Sequence, residues 1–285
     1  MVQSYSTVRS LKEKLQSERA EGCRIGFVPT MGALHEGHLS LLRRAKQDND
    51  RVVCSIFVNP TQFNDPGDLE KYPRMPEQDL QLLDSVGCDY AFLPSVSEVY
   101  PEGFRLLEIH FGTLERVMEG AHRPGHFRGM ATVVKRLFEI AEPDTAYFGE
   151  KDFQQLAIVK KMVQEFRIPV HVIGCETLRE SDGLAMSSRN LLLSAAQRKA
   201  APLIYQGLRM AQEYIPHQQP AAVKELVTRY IRQSPLLEVQ YFDIVHPDTL
   251  ESLEHWEQHP VAQGCIAVLT GGPRLIDNIR YRTDA

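Results

Sequence analysis

Apolar positions fall into short runs and helical stripes that alternate along the first 176 residues. Residues 4–20 carry Val8, Leu11 and Leu15 at helical spacing. Residues 25–28 form a compact apolar run. Residues 36–48 read as an amphipathic helix with Leu39, Leu41, Leu42 and Ala45 on one face. Arg51–Val58 is continuous, apolar and β-branched, the pattern of a strand buried on both faces. The polar, proline-rich stretch 66–78 predicts a surface excursion. A helix at 79–86, a strand at 89–93, an extended segment at 105–111 and a short helix at 114–118 follow. A glycine-rich polar loop at 120–129 leads into helix 130–141, strand 145–148, helix 152–166 and strand 170–175.

Short buried strands separated by such helices predict a parallel sheet with right-handed crossovers. The pattern shifts after residue 176. Residues 194–233 read as helical, with strands at 239–245 and 265–269 and a last segment at 274–279. The expected fold class is α/β: a Rossmann-like parallel sheet with helices on both faces over residues 1–176, plus a smaller C-terminal α+β domain over 177–285.

Composition narrows the functional classes. The 285 residues are 43% hydrophobic and 24% charged, an ordinary globular balance. The net charge of −5 gives no case for nucleic acid or an anionic membrane surface. No apolar run approaches the roughly 20 residues that span a bilayer, and the N-terminus lacks a signal-peptide apolar core. Cys23, Cys54, Cys88, Cys175 and Cys265 are scattered and show no C-x-x-C pairing. They read as reduced cytoplasmic thiols.

The chemistry gathers on one stretch, R-I-G-F-V-P-T-M-G-A-L-H-E-G-H-L, residues 24–39. A strand turns through Gly32 into a helix whose start carries His35, Gly37 and His38. Unpaired amides and the helix dipole favour an anion there, and histidines at i, i+3 can reach one phosphate. H-E-G-H lacks the i, i+4 spacing of a zinc protease helix, though a looser metal site stays open. Gly32 and Gly37 have Walker A spacing, but His38 and Leu39 replace its lysine and hydroxyl.

Further polar groups follow strands or lie on nearby loops. Asn59 and Gln62 offer amides for a ligand bearing a hydroxyl beside a carboxylate. Gly149-Glu-Lys-Asp152 offers a glycine for close approach, a lysine point charge for phosphate and an aspartate for a ribose hydroxyl. Gln155 lies one turn on. Arg123 brings a planar fork for carboxylate or phosphate. Met186-Ser-Ser-Arg189 brings two hydroxyls and a guanidinium after a flexible Asp182-Gly183. Each alone reads as a solvated loop; together they suit a phosphate-bearing ligand.

The H-x-G-H run resembles the HIGH signature of the nucleotidyltransferase superfamily, and Met186–Arg189 resembles its second, mobile phosphate-binding signature. P-T-M-G-A-L-H-E-G-H, F-V-N-P-T-Q-F, R-P-G-H-F-R-G, F-G-E-K-D-F-Q-Q-L, D-G-L-A-M-S-S-R-N and R-L-I-D-N-I together closely resemble the pantoate–β-alanine ligase family. These six segments run in order from residue 29 to 279. The resemblance implies ATP-dependent condensation of (R)-pantoate with β-alanine to pantothenate through a pantoyl adenylate, releasing pyrophosphate and AMP. It implies that ATP is bound by Met31, Gly32, Ala33, Leu34, His35, Glu36, Gly37, His38, Gly149, Glu150, Lys151, Asp152, Leu178, Met186, Ser187, Ser188 and Arg189. His35 and His38 would face the triphosphate, with His38 the catalytic proton donor and Lys151 a third catalytic group. Gln62, Gln155, Asn59 and Arg123 would serve the substrate side.

It further implies Mg2+ entering with ATP, a homodimer through the N-terminal domain, and a C-terminal domain acting as a lid. No metal ligand is assigned; a carboxylate near Asp79 is too weak a signal for that. Met75-Pro76, Ser181 and the proline in Thr270-Gly-Gly-Pro273 depart from the family pattern without touching a named ligand. The alternative is a nucleotidyltransferase of cofactor synthesis that uses the same H-x-G-H site on another substrate.

Overall fold

The computed structural model describes residues 1–64 and 66–283. The chain folds as two compact units. The first comprises residues 1–111, 123–150 and 155–176; the second comprises 112–122, 151–154 and 177–285.

In the first unit, six strands among the described residues form one sheet: β1 (Gln3–Tyr5), β2 (Ile25–Thr30), β3 (Arg51–Ile56), β4 (Tyr90–Phe92), β5 (Thr145–Gly149) and β6 (His171–Cys175). Their order is β1-β4-β3-β2-β5-β6, and every pair is parallel. The chain runs outward from β2 through β3 to β4, then returns to β5 on the other side of β2. The direction of winding therefore reverses between β2 and β5, the place where an open α/β sheet leaves a crevice beyond its strand ends.

Successive β2 residues face opposite ways. Phe27 meets Phe138 edge-on, and Phe138 meets Phe148. Val28 joins the other core with Leu39, Leu42, Leu83, Val52 and Tyr147. That arrangement uses α1 (Val8–Ala20) and α2 (Glu36–Asp48), the short α3 (Pro66–Lys71), α4 (Pro76–Ser85) and the short α5 (Val96–Val99). It is completed by α7 (His126–Ala141) and most of α8 (Phe153–Glu165), while the one-turn α6 (Glu119–His122) belongs to the second unit. The parallel sheet and its helices are as the apolar pattern predicts.

Several details differ from the expectation. The helical stripe at 4–20 begins only at Val8, capped by the Thr7 hydroxyl, and Gln3–Tyr5 is instead an edge strand on β4. Three residues, two exposed and one half-buried, carry no alternation to read. Pro66–Lys71 forms a helix inside the expected excursion. Residues 105–111 join no strand among the described residues; Leu107 is tied through its amide to Thr132 Oγ1 and through its carbonyl to Arg128. Helix α7 starts four residues early, at His126. Gly125, at φ +81°, turns the chain into it, and Gly129 sits within the helix where the sequence suggested loop.

The second unit packs α9 (Ala195–Ala200), α10 (Leu203–Tyr214) and α11 (Pro220–Ile231) with an antiparallel sheet, β7 (Glu238–Val245), β8 (Val261–Leu269) and β9 (Arg274–Arg282), in that order. Its core includes Leu208, Val223, Val227, Ile244, Trp256, Ile266, Val268 and Tyr281. Strand β8 starts at Val261, earlier than its apolar run, because Gln263 and Gly264 interrupt the pattern. Gly264 makes room for the Tyr281 ring: a Cβ there would lie 2.5 Å from Tyr281 Cε2. Residues 112–122 and 151–154 are fastened into this unit. The Glu119 carboxylate pairs with both Arg274 nitrogens at 2.6 and 2.7 Å and accepts from Tyr241 at 2.7 Å. Gln154 bonds the carbonyls of Leu114 and Val117 and the amide of Glu119. Among the described residues no helix is long and apolar enough to cross a membrane.

Candidate active site

Strand β2 ends at Thr30, and the loop from Met31 to Leu34 carries the chain to α2. Gly32 has φ +83° and Ala33 has φ +49°, two left-handed residues in succession. That geometry aims consecutive amides into one concavity, an anion nest. The anion is the protein's own: Asp79 Oδ2 accepts the Ala33 amide at 3.0 Å, and Oδ1 accepts the Leu34 amide at 2.7 Å. Asp79 is buried on α4, and burial pushes its carboxyl up from 3.8, with the two amides pulling it back. Gly32 donates to Thr30 Oγ1 at 3.2 Å. A Cβ on Gly32 would lie 2.9 Å from Asp79 Oδ2. The expected amide cradle for phosphate is thus engaged internally at Gly32, Ala33 and Leu34. Asp79, which the sequence offered only as a metal signal too weak to assign, builds this loop.

Helix α2 opens with His35 as its N-cap. His35 Nδ1 accepts the Gly37 amide at 3.1 Å, and His38 Nδ1 accepts the His35 amide at 3.4 Å. A ring nitrogen that accepts cannot carry the proton, so both neutral rings hold it on Nε2. Their centroids lie 4.1 Å apart. Two neighbouring Nε2–H donors at a positive helix end suit phosphate oxygens chemically.

Past β3, Asn59 is 1% exposed, and its whole amide is used within the protein. Oδ1 accepts from the Thr61 amide and hydroxyl and from Tyr100 Oη at 2.8 Å. Nδ2 donates to Gln62 Oε1 at 3.0 Å and to the Gly129 carbonyl. Burial pushes the Tyr100 hydroxyl up to about 12, so it stays a donor. Asn59 therefore orients Gln62, whose Nε2 lies 3.2 Å from Met31 Sδ. His126 holds the same turn: its Nδ1 reaches the Gln62 carbonyl at 2.8 Å, and its Nε2 meets Arg123 Nη1 at 3.2 Å. A carbonyl accepts and a guanidinium donates, so His126 is neutral with its proton on Nδ1. Arg123 also donates to the Gln62 carbonyl at 3.4 Å. Met31, Asn59, Gln62 and Arg123 thus share one cluster in the first unit. Gly149 ends β5, next to β2, Glu150 opens the short 3-10 turn that follows, and Gln155 is half-buried near the start of α8.

In the second unit, Lys151 and Ser187 line one small cavity with Asn190 and Asp277. Asp152 is half-buried beside Lys151 in sequence. The Met186 amide donates to the Leu178 carbonyl at 3.0 Å, which sets those two side by side. Ser187 caps a short 3-10 turn, accepting the Arg189 amide, and Ser188 is buried within it. The preceding turn is braced by Arg198, which pairs with Glu180 and Asp182 at 2.5 and 2.6 Å.

A family model described as pantoate-beta-alanine ligase matches residues 3–280. The chain belongs to the pantoate–β-alanine ligase family. Among similar members, the pantothenate synthetase of Porphyromonas gingivalis (strain W83) is 50% identical, covering 97% of this chain and 98% of that one. That of Bacteroides thetaiotaomicron is 46% identical over the same shares. The crystal structure of pantothenate synthetase from Thermus thermophilus superposes with a TM-score of 0.91 at 45% identity, covering 98% and 99%. A pantoate-beta-alanine ligase from Francisella tularensis, complexed with beta-gamma ATP and beta-alanine, reaches 0.84 at 36%, covering 100% and 99%.

Within this pantoate–β-alanine ligase fold, the residues that sequence reasoning missed are Asp79, Tyr100, His126 and Gly129. Each acts through hydrogen bonds or close packing made by distant parts of the chain. His126 and Gly129 had a local signal, as the histidine and the last glycine of R-P-G-H-F-R-G.

Proposed function

We propose that this enzyme joins pantoate to β-alanine at the expense of ATP. A pantoate carboxylate oxygen attacks the α-phosphorus, the bond from that phosphorus to the bridging oxygen breaks, and pyrophosphate leaves. The β-alanine nitrogen then attacks the acyl carbon of pantoyl adenylate. The carbon–oxygen bond to phosphate breaks, AMP leaves, and the amine gives up a proton. ATP enters as its magnesium complex.

The observation that carries this reading is the histidine pair. Both Nδ1 atoms accept backbone amides, so both Nε2–H groups are fixed donors at one helix end. In-line transfer at phosphorus needs positioning and charge stabilisation more than covalent help. His35 and His38 donate hydrogen bonds to the triphosphate, and Lys151 neutralises phosphate charge. His38 donates its Nε2–H bond to the leaving pyrophosphate while keeping the proton, because a neutral ring whose Nδ1 accepts an amide has none to give up. Met31 to Leu34, Glu36, Gly37, Gly149, Glu150, Asp152, Leu178 and Met186 to Arg189 bind ATP in this reading. Gln62 and Gln155 bind pantoate, Arg123 steadies the anionic end, and Asn59 acts by orienting Gln62.

The C-terminal domain serves as the lid, with the loop from Gly183 to Arg189 closing over the adenylate and excluding water. ATP plus pantoate should then protect that loop from protease. The enzyme works as a homodimer through its N-terminal domain, which sedimentation would test. It resides in the cytoplasm, a compartment consistent with its five free cysteines.

The deciding experiment is ATP–pyrophosphate isotope exchange with pantoate, with and without β-alanine. Exchange that needs pantoate but not β-alanine is the expected result. Exchange supported only by another carboxylate or a phosphorylated alcohol would overturn the substrate and favour a different nucleotidyltransferase.

A further inference from the structure

The R-L-I-D-N run of β9 carries two buried polar side chains that the proposed reaction does not use, Asp277 and Asn278. Buried amides and carboxylates are costly unless bonded, so their partners are informative. Asn278 Nδ2 donates to the Lys151 carbonyl at 2.8 Å. Gln263 Nε2 donates to Asn278 Oδ1 at 2.6 Å. A carbonyl only accepts, so the Lys151 contact fixes which end of the Asn278 amide is nitrogen. The Gln263 contact agrees at the other end.

The main chain of Asn278 is held as well. Its amide donates to Asp277 Oδ1 at 2.8 Å, and its carbonyl accepts from Arg179 Nη2 at 3.2 Å. Asp277 takes both Arg179 nitrogens, at 2.6 and 2.9 Å. The Arg179 guanidinium lies 3.6 Å from the centre of the Tyr205 ring, and its Nη1 donates to the Gly183 carbonyl at 3.1 Å. Two consecutive residues of β9 thus fasten the backbone at Lys151 and, through Arg179, at Gly183. Lys151, Ser187 and Asp277 line the same small cavity.

A lysine side chain has four flexible torsions, so its ammonium is aimed only as well as its backbone is held. We propose that Asn278 is a positioning residue for Lys151: its amide fixes the Lys151 backbone for phosphate binding, and the Arg179–Asp277 pair holds Asn278 in place. This rests on the assignment of Lys151 to phosphate made above. In Asn278→Asp a carboxylate oxygen replaces the donor and faces the Lys151 carbonyl.

The test is a double-mutant cycle on pantoate-dependent ATP–pyrophosphate exchange, with Asn278→Asp made in the wild type and in Lys151→Ala. The same preparations are assayed for β-alanine attack on preformed pantoyl adenylate. In the wild type, Asn278→Asp should lower exchange kcat about 10- to 100-fold with little change in the KM for pantoate. In Lys151→Ala it should cause no further loss, because the group it positions is gone. The β-alanine step should survive, which reports an intact fold. Asn278→Ser removes the donor without adding charge and carries the same cycle if the aspartate variant does not fold. Unchanged exchange, a full further loss in Lys151→Ala, or equal loss of both half-reactions would overturn the proposal. Full exchange by Lys151→Ala alone would instead overturn the role of Lys151.

Discussion

His38 caps the chain at His35: its Nδ1 accepts the His35 amide, while His35 Nδ1 accepts the Gly37 amide two residues on. Each imidazole therefore has a structural side and a chemical side. The structural side is worth about 1 kcal/mol for a helix cap. The chemical side is the Nε2–H group, which the proposed function directs at phosphate.

Substitution can separate the two. His38→Ala removes both and should lower adenylate formation about 10²- to 10³-fold, the loss expected for one transition-state donor. His38→Asn keeps a short side-chain acceptor for the His35 amide. It should recover the thermal stability of the wild type yet remain as slow as the alanine variant in pyrophosphate exchange. Activity that returns with stability would assign His38 to capping alone.

Asp79 stands where an external anion was expected, with both its oxygens on the amides of Ala33 and Leu34. Asp79→Asn replaces one acceptor with an amide donor that must face a backbone N–H. The buried mismatch should cost roughly 1–3 kcal/mol. The loop beside Met31 should lose its shape, so pyrophosphate exchange should fall at least tenfold. Denaturant unfolding and exchange rates on one preparation check both effects; an active variant of unchanged stability would show that the nest holds without the carboxylate.

The pair His35 and His38 was legible because strand, turn and helix start lie within sixteen consecutive residues. Local spacing carries such information. The nest was half legible: Gly32 announces a left-handed turn, but nothing near it in sequence announces Asp79, which arrives from α4. Gln62 was readable as an amide after a strand, whereas its orientation depends on Asn59 in the same turn and on Tyr100 and His126 from two further places in the chain. Asn59 itself looked like a ligand group because amides at strand ends often are, and the structure has it wholly engaged with protein. Glycines misled in one direction. Gly129 in α7 and Gly264 in β8 broke the expected patterns because each admits a close neighbour, and only the folded neighbour explains it.

Acid stability should depend on Glu18. Its carboxylate is buried among Lys14 at 2.6 Å, the Tyr90 hydroxyl, and Arg51 at 2.8 Å. The Lys14 bond, then the Tyr90 bond, hold its carboxyl at about 2, below an ordinary value of 4.5. A group with a depressed folded-state value stabilises the fold fully above its unfolded value. That contribution is lost as pH falls from about 4.5 to about 2. Glu18→Gln should flatten this part of the stability curve and lower stability at neutral pH, where Lys14 and Arg51 lose their shared partner. Urea midpoints measured across that range test the slope; an unchanged slope would mean that other carboxylates govern it.

Gly129 offers the sharpest link between packing and substrate. A Cβ at that position would lie 2.1 Å from the Thr61 carbonyl oxygen and 2.9 Å from the Gln62 amide nitrogen, both backbone atoms with no rotamer to yield. Helix α7 can approach the 59–62 turn only through a glycine there. The same approach lets Asn59 Nδ2 reach the Gly129 carbonyl at 3.2 Å. Gly129→Ala must therefore push the turn away from the helix, at a cost of about 1–3 kcal/mol for overpacking. The shift moves Gln62 with its backbone and strains its bonds to Asn59 and His126. The expected signature is a raised KM for pantoate with little change in the KM for ATP, because the histidine pair on α2 is not displaced. Equal rises in both would mean that the damage spreads through the sheet, and an unaltered pantoate KM would remove Gln62 from the pantoate site.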